Sequence, residues 1–104
     1  LLTLKSYLSP FFIAIFPLVN KNNLPELAHN IYEDLKLDFN VFYDESGSIG
    51  RRYRRQDEIG TPFCITVDFE TLESETVTLR NRDSMEQIRI PIKDLKVKLQ
   101  DIKL

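Results

Sequence analysis

Apolar residues come in two rhythms along this chain. Phe12-Ile13-Ala14-Ile15-Phe16 is a short unbroken run closed by Pro17, and Phe39 to Tyr43, apolar except for Asn40, is a second short segment. Both predict strands. Between them Leu24, Leu27, Ala28, Ile31 and Leu35 recur at intervals of three and four, one apolar face of a helix. Asn23 stands where its N-cap belongs, Glu26 three positions on would complete a capping box, and Pro25 fits the first turn. Asp44-Glu45-Ser46-Gly47 predicts a turn. Ser48 then caps a second helix over roughly Ile49 to Ile59, which Gly60 and Pro62 end. Pro62 to Phe69 is nearly all apolar, with Phe63, Cys64, Ile65, Val67 and Phe69, as in a central strand covered on both faces. Thr76 to Arg80 alternates, with Val77 and Leu79 on one face and Thr76, Thr78 and Arg80 on the other. Met85 to Ile90 returns across the turn Asn81-Arg82-Asp83-Ser84, with Ile88 and Ile90 inward and Gln87 and Arg89 outward. Pro91 ends that ladder, and Ile92, Leu95, Leu99 and Ile102 mark a third helix.

The predicted order is β-α-β-α-β-β-β-α. Alternating strands and helices give parallel crossovers, and the late hairpin adds antiparallel strands. The expected fold is a three-layer α/β domain, a five-stranded mixed sheet flanked by three helices. The 104 residues suffice for one domain and are too few for two. The longest apolar run, Phe11 to Phe16, is far below membrane-spanning length and lacks the flanks of a signal peptide. The first residue is Leu rather than Met, which raises the expectation of a piece from a longer protein. Cys64 stands alone in an apolar run and reads as a buried free thiol in a reducing compartment. One Cys and one His make no zinc set.

Net charge is only -2, but its distribution is lopsided. All seven arginines lie between Arg51 and Arg89, and all seven lysines lie outside that segment. Arginine suits planar, bidentate contacts to phosphate and base edges. A pI near 5.4 argues against a non-specific nucleic-acid binder and leaves room for a local patch. Four of the arginines crowd the second helix. There Ile49, Tyr53, Gln56 and Ile59 fall on the inner side with Arg52 at its margin, while Arg51, Arg54, Arg55 and Glu58 face outward. Arg51 and Arg55 are like charges four apart, at a cost of a few tenths of a kcal/mol (about 0.2–0.5). Arg51 and Arg52 also sit at the positive end of the helix dipole. Arg54 with Glu58 offsets part of this. A bound anion would relieve the rest, held by first-turn amides, the Gly47 and Gly50 flanks and the guanidinium groups. The alternative is a solvated charged face. Arg80, Arg82 and Arg89 on the hairpin either extend the patch or are paired by Asp83 and Glu86 nearby in sequence.

Catalytic equipment is poorly represented. His29 lies on a helix away from the apolar stripe, a solvent-side position. Cys64, mid-strand among apolar residues, is a poor nucleophile candidate. Asp57 and Glu58 are adjacent, so a helix points them about 100° apart rather than as a carboxylate pair. Gly47-Ser48-Ile49-Gly50 lacks the following Lys-Ser/Thr of a P-loop. Pro17-Leu18-Val19-Asn20 offers no glycine-rich turn after the first strand, which disfavours a nucleotide-binding domain. Tyr53 could stack on a base, but its position favours core packing.

The segment Tyr43-Asp44-Glu45-Ser46-Gly47-Ser48-Ile49-Gly50-Arg51-Arg52-Tyr53-Arg54-Arg55-Gln56-Asp57-Glu58-Ile59-Gly60-Thr61-Pro62-Phe63 closely resembles the C-terminal anticodon-binding domain of glycyl-tRNA synthetase, in the class II, homodimeric, bacterial-like form. Val77 to Arg89, Ala14 to Leu18 and Leu24 to Ala28 are similar to it too, so the resemblance spans almost the whole chain. It implies that residues 1–104 form one anticodon-binding domain, a C-terminal part of a longer cytoplasmic enzyme. That parent would be a glycine-tRNA ligase, joining glycine to tRNA-Gly with ATP and Mg2+. Those cofactors belong to a catalytic domain of the same chain, outside these residues, and the fragment alone would be inactive. The implied partners are tRNA-Gly, the catalytic domain and a second subunit of a homodimeric parent, with no membrane. The domain would grip an anticodon whose last two positions read C-C. Arg51 and Arg55 on the helix, and Arg80, Arg82 and Arg89 on the hairpin, are the phosphate or base candidates. Asp83 or Glu86 could accept from cytosine N4. A non-catalytic protein- or DNA-binding module of the same fold, as in a polymerase accessory subunit, is the alternative.

Overall fold

A computed structural model of the chain describes residues 12–103, with the side chains of Phe12, Ile59 and Lys103 left aside. The expected inward side chain of Ile59 and the apolar residue Phe11 therefore lie outside the described part. The strands are β1 (Phe12–Pro17), β2 (Asn40–Tyr43), β3 (Phe63–Val67), β4 (Thr76–Asn81) and β5 (Gln87–Pro91). The helices are α1 (Leu24–Leu35), α2 (Ile49–Ile59), α3 (Phe69–Ser74) and α4 (Leu95–Lys103), the last entered through a 3-10 turn at Ile92–Asp94. The five strands form one mixed sheet in the order β2-β1-β3-β4-β5. β1 runs parallel to β2 and β3, with Ile13 opposite both Val41 and Phe63. β4 is antiparallel to β3 and β5, with Leu79 opposite both Ile65 and Ile88.

Strand alternation divides the core between two faces. Ile13, Ile15, Phe63, Ile65, Val67, Val77, Leu79 and Ile90 join one buried cluster with Leu24, Ala28, Ile31 and Leu35 of α1 and Leu95 and Leu99 of α4. Ala14, Phe16 and Cys64 point the other way, against Ile49 and Tyr53 of α2. All five residues of β3 are buried, as an apolar run at the centre of a three-layer fold requires.

The structure departs from expectation at a few places, each for a local reason. A fourth helix, α3, takes Phe69 out of the strand and leaves it part-exposed. The signal was Asp68 followed three residues later by Thr71. Asp68 Oδ1 accepts from the Thr71 N–H at 3.2 Å, and Thr71 Oγ1 accepts from the Asp68 N–H at 3.0 Å, a capping box built with threonine. Asn23 does not cap α1 through its side chain. A capping residue needs extended backbone for its side chain to reach back, and Asn23 is left-handed at φ 65. β5 begins at Gln87 rather than Met85, because Met85 is also left-handed, at φ 61, and closes the hairpin loop through its N–H to Asn81 O at 2.8 Å. Ile88, expected inward, is 44% exposed. It lies on an edge strand, where a cavity of about 240 Å³ separates it from Lys98 and Ile102 of α4.

Candidate nucleic-acid interface

The arginine helix α2 forms because its ends are well marked. Ser48 is extended, and its hydroxyl accepts from the Arg51 N–H at 3.3 Å. Gly60 closes the helix at φ 90, a left-handed position costly for any residue with a Cβ, and donates to Gln56 O at 3.0 Å. Tyr53 packs edge-to-face on Phe16 with ring centroids 5.0 Å apart, and its hydroxyl bonds Thr66 Oγ1. Burial is the first cause that raises the Tyr53 pKa. Gln56 is buried and accepts from Thr61 Oγ1 at 2.7 Å.

The four arginines of α2 split into two pairs. Arg52 is not marginal but 2% exposed. Its guanidinium donates to three backbone carbonyls, Pro17 O, Gly47 O at 2.9 Å and Ser46 O at 3.3 Å. It thus lies at the carboxyl end of β1, the strand with β2 on one side and β3 on the other, which is where open α/β sheets commonly bind ligands. Arg55 is paired with Asp44, Nη2 at 2.7 Å and Nε at 3.1 Å from Oδ2, and Nη2 also donates to Ser46 O at 3.1 Å. Partial burial raises the Asp44 carboxyl, but the Ser46 N–H, Arg55 and the Ser46 hydroxyl together outweigh it and hold the pKa below the ordinary value. Arg51 and Arg54 are exposed and make no ion pair among the described residues. The expected Arg54–Glu58 pair does not form.

On the hairpin, Arg80 shares the α2 side of the sheet. Its Nη1 is 3.6 Å from Asp57 Oδ1, its guanidinium carbon 4.8 Å from the centre of the Tyr53 ring, and its Nη2 donates to Met85 Sδ at 3.5 Å. Asp57 Oδ1, Arg80 Nη1 and Arg82 Nε are buried without a hydrogen bond. Arg82 sits beside the α2–β3 connection, with its N–H on Pro62 O at 2.9 Å, and pairs with Asp83 at 3.2 Å. Arg89 turns toward the other end of β4. It binds Asp68, reaches Thr76 Oγ1 at 2.9 Å and lies 3.5 Å from Glu70. Burial raises the Asp68 carboxyl, but Arg89 and Thr71 hold it below its usual value. Glu86 lines the cavity on the α4 side with Phe63, Leu79 and Lys98, so the sheet separates it from the arginines of α2.

Of the seven residues singled out from the sequence, Arg51 stays free on the outer face of α2, while Arg80, Arg82 and Asp83 gather near its C-terminal end. Arg55 and Arg89 are committed to carboxylates, and Glu86 lies apart. Arg52, Asp44 and Asp57, which lie beside or hold these arginines, were not among the seven. Helical spacing held a signal for Arg52, which follows Ile49 by three and precedes Gln56 by four.

His29 is half-exposed, 3.7 Å from Glu33 and edge-on to the Tyr43 ring at 5.3 Å. Burial pushes the Cys64 thiol up to about 12, which leaves it protonated and inert at neutral pH. Among the described residues no group of His, Cys, Asp and Glu could hold a metal ion, and no helix is long and apolar enough to cross a membrane.

Residues 13–102 match the family described as anticodon binding domain. A glycine–tRNA ligase of Borrelia hermsii is 56% identical over 94 residues, which are 90% of this chain and 21% of that protein. That of Borreliella burgdorferi (strain ATCC 35210) is 61% identical over 94 residues with the same coverage. The glycine–tRNA ligase of Rhodopirellula baltica is 55% identical over 93 residues, 89% of this chain and 17% of its own. The chain thus spans about a fifth of the length of these relatives. Among solved structures, prolyl-tRNA synthetase from Cryptosporidium parvum superposes with a TM-score of 0.82 at 23% identity, over 90% of this chain and 21% of that one. The RNA binding domain of threonyl-tRNA synthetase from the same species gives 0.78 at 21% identity, over 88% and 24%. The mixed sheet, the arginine helix across one face of it and a family match that runs from β1 into α4 lead to one conclusion: this chain belongs to the anticodon binding domain family.

Proposed function

We propose that the chain is the anticodon-binding part of a glycine-tRNA ligase and that its α2 side meets the anticodon loop of tRNA-Gly. The observation that carries this reading is identity of 55–61% with glycine–tRNA ligases over about nine-tenths of the chain. Arg51 and Arg54 then serve as phosphate contacts, since nothing among the described residues neutralises them. Arg80 and Arg82, with Asp57 and Asp83 beside them, offer donors and acceptors to the edges of unstacked cytosines. Arg55 and Arg89 shape the surface from within their ion pairs, and Glu86 stays outside it. Glycine activation with ATP and Mg2+ falls to the remainder of a longer, homodimeric cytoplasmic parent, and the chain contributes selection and positioning of the tRNA.

The test is binding of the chain to a tRNA-Gly anticodon stem-loop, beside one with both C positions changed to A, at two salt concentrations. Weaker binding after the base change supports anticodon reading by these residues. Equal binding of the two RNAs overturns it and points to a general interaction module of the same fold.

A further inference from the structure

Arg52 presents an unusual arrangement. A guanidinium that is 2% exposed has no carboxylate partner among the described residues; its donors go to the carbonyls of Pro17, Ser46 and Gly47. A buried charge is costly unless every donor finds an acceptor. Here the planar fork meets the demand by binding two separate parts of the chain, the last residue of β1 and the connection before α2. Ser46 O accepts a second hydrogen bond from Arg55, which Asp44 holds in turn. Asp44 Oδ1 closes the ring by accepting from the Ser46 N–H at 3.0 Å and from its hydroxyl at 2.9 Å. Two arginines one helical turn apart therefore grip one short loop from both sides.

That loop determines where Arg51 goes. Gly47 is left-handed at φ 73, and a Cβ placed on it would lie 3.6 Å from Arg51 Cδ and 3.8 Å from Arg51 Cβ. The stem of Arg51 thus lies over a glycine whose carbonyl Arg52 holds. From these contacts we infer that Arg52 and Arg55 are positioning residues, a clasp that fixes residues 44–48 before RNA arrives and so aims the free guanidinium of Arg51 at the RNA backbone. The inference rests on the anticodon-binding reading for its ligand, while the clasp itself is a property of the free protein.

Simple charge counting and the clasp predict opposite signs for one substitution. Asp44→Asn removes a negative charge from a basic surface, so electrostatics alone would tighten RNA binding. If the clasp orders the loop, the same change makes RNA binding bear the cost of ordering it, and affinity falls about threefold. Arg52→Lys keeps the charge but cannot reach three carbonyls. It should lower affinity for the C-C stem-loop about tenfold, in protein that circular dichroism shows to be fully folded. The dependence of log K on log salt should keep its slope, because no phosphate contact is lost, whereas Arg51→Gln should lower that slope by about one. In the RNA-free protein, amide hydrogen exchange in residues 44–48 should quicken in Arg52→Lys while α1 is unchanged. Unaltered exchange there, or RNA affinity equal to or above wild type in Asp44→Asn, would overturn the clasp. A shallower salt slope in Arg52→Lys would also overturn it, by making Arg52 a phosphate contact. Failure of the wild-type chain to prefer the C-C stem-loop would sink the anticodon reading instead, and the exchange experiment would still decide on the clasp.

Discussion

The two faces of the sheet are built on different principles. The face under α1 and α4 is a continuous, mainly aliphatic cluster, in which Ile13, Ile15, Ile65, Val67 and Val77 are fully buried against leucines. The face under α2 has a small apolar patch of Ala14, Phe16 and Cys64, ringed by polar bonds: Tyr53 to Thr66, Gln56 to Thr61, and Arg52 to backbone. Burial of apolar area is strong but non-directional. Hydrogen bonds contribute little net stability and are costly to leave unmade, so they fix geometry. One face therefore supplies stability, and the other holds a helix in one position against the sheet. The second is what a surface aiming arginines at RNA needs.

Adjacent residues of β3 offer the sharpest way to break this comparison. Ile65 points into the aliphatic face and is fully buried. Ile65→Ala should cost about 2–5 kcal/mol by urea unfolding, which would consume much of the stability of a domain this size. Cys64 faces α2, and Cys64→Ala removes one atom, so its cost should be far smaller. Equal losses would mean that the two faces share the apolar load.

Next in size comes the polar bond at the end of α2. Thr61→Val keeps the shape but strands the buried Gln56 Oε1 that accepts from Thr61 Oγ1. The expected loss is about 1–3 kcal/mol. Adding Gln56→Met removes the other partner, and the double variant should recover most of the loss. If the two losses simply added, packing rather than an unmet hydrogen bond would be the cause. The N-cap is worth less: Ser48→Ala should cost about 1 kcal/mol, with RNA binding by the folded protein weakened only slightly.

The same contrast explains what could be read from the sequence. The aliphatic face was legible because periodicity reports burial directly. Leu24, Ala28, Ile31, Leu35, Leu95 and Leu99 all lie where their spacing places them. Ser48 and Gly60 bound α2 as expected, because capping is local. The polar face was less legible. Arg52 and Arg55 have the same side chain and lie three positions apart; one is buried on carbonyls, and the other is held by Asp44 across a turn. That difference depends on the loop's path past the end of β1, which no spacing rule encodes. Arg89 is likewise ambiguous from sequence, where Asp83 and Glu86 are the nearby candidate partners; its actual partner Asp68 is 21 residues away, at the N-cap of a helix that the apolar pattern does not announce.

The smallest expected effect separates the faces by pH. Asp44 and Asp68 hold the ion pairs of Arg55 and Arg89, and both carboxyls are below the ordinary value in the folded protein. A depressed folded pKa means that the unfolded chain takes up the proton first. The stabilisation is therefore present above the unfolded carboxyl value of about 3.9. It is lost as pH falls through the still lower folded values. Replacing both residues by asparagine should lower the urea midpoint at pH 7 slightly, since the ion pairs are partly exposed through their arginines and screened by solvent. Wild type and variant should then converge as the solution is acidified below pH 4. Ile65→Ala should behave differently, with a large loss that stays nearly constant over the same range, because an aliphatic cluster carries no proton. A constant gap between wild type and the Asp44→Asn/Asp68→Asn variant would mean that the charge of these carboxylates contributes nothing and that the loss comes from packing, because asparagine still offers an acceptor to the Ser46 and Thr71 amides.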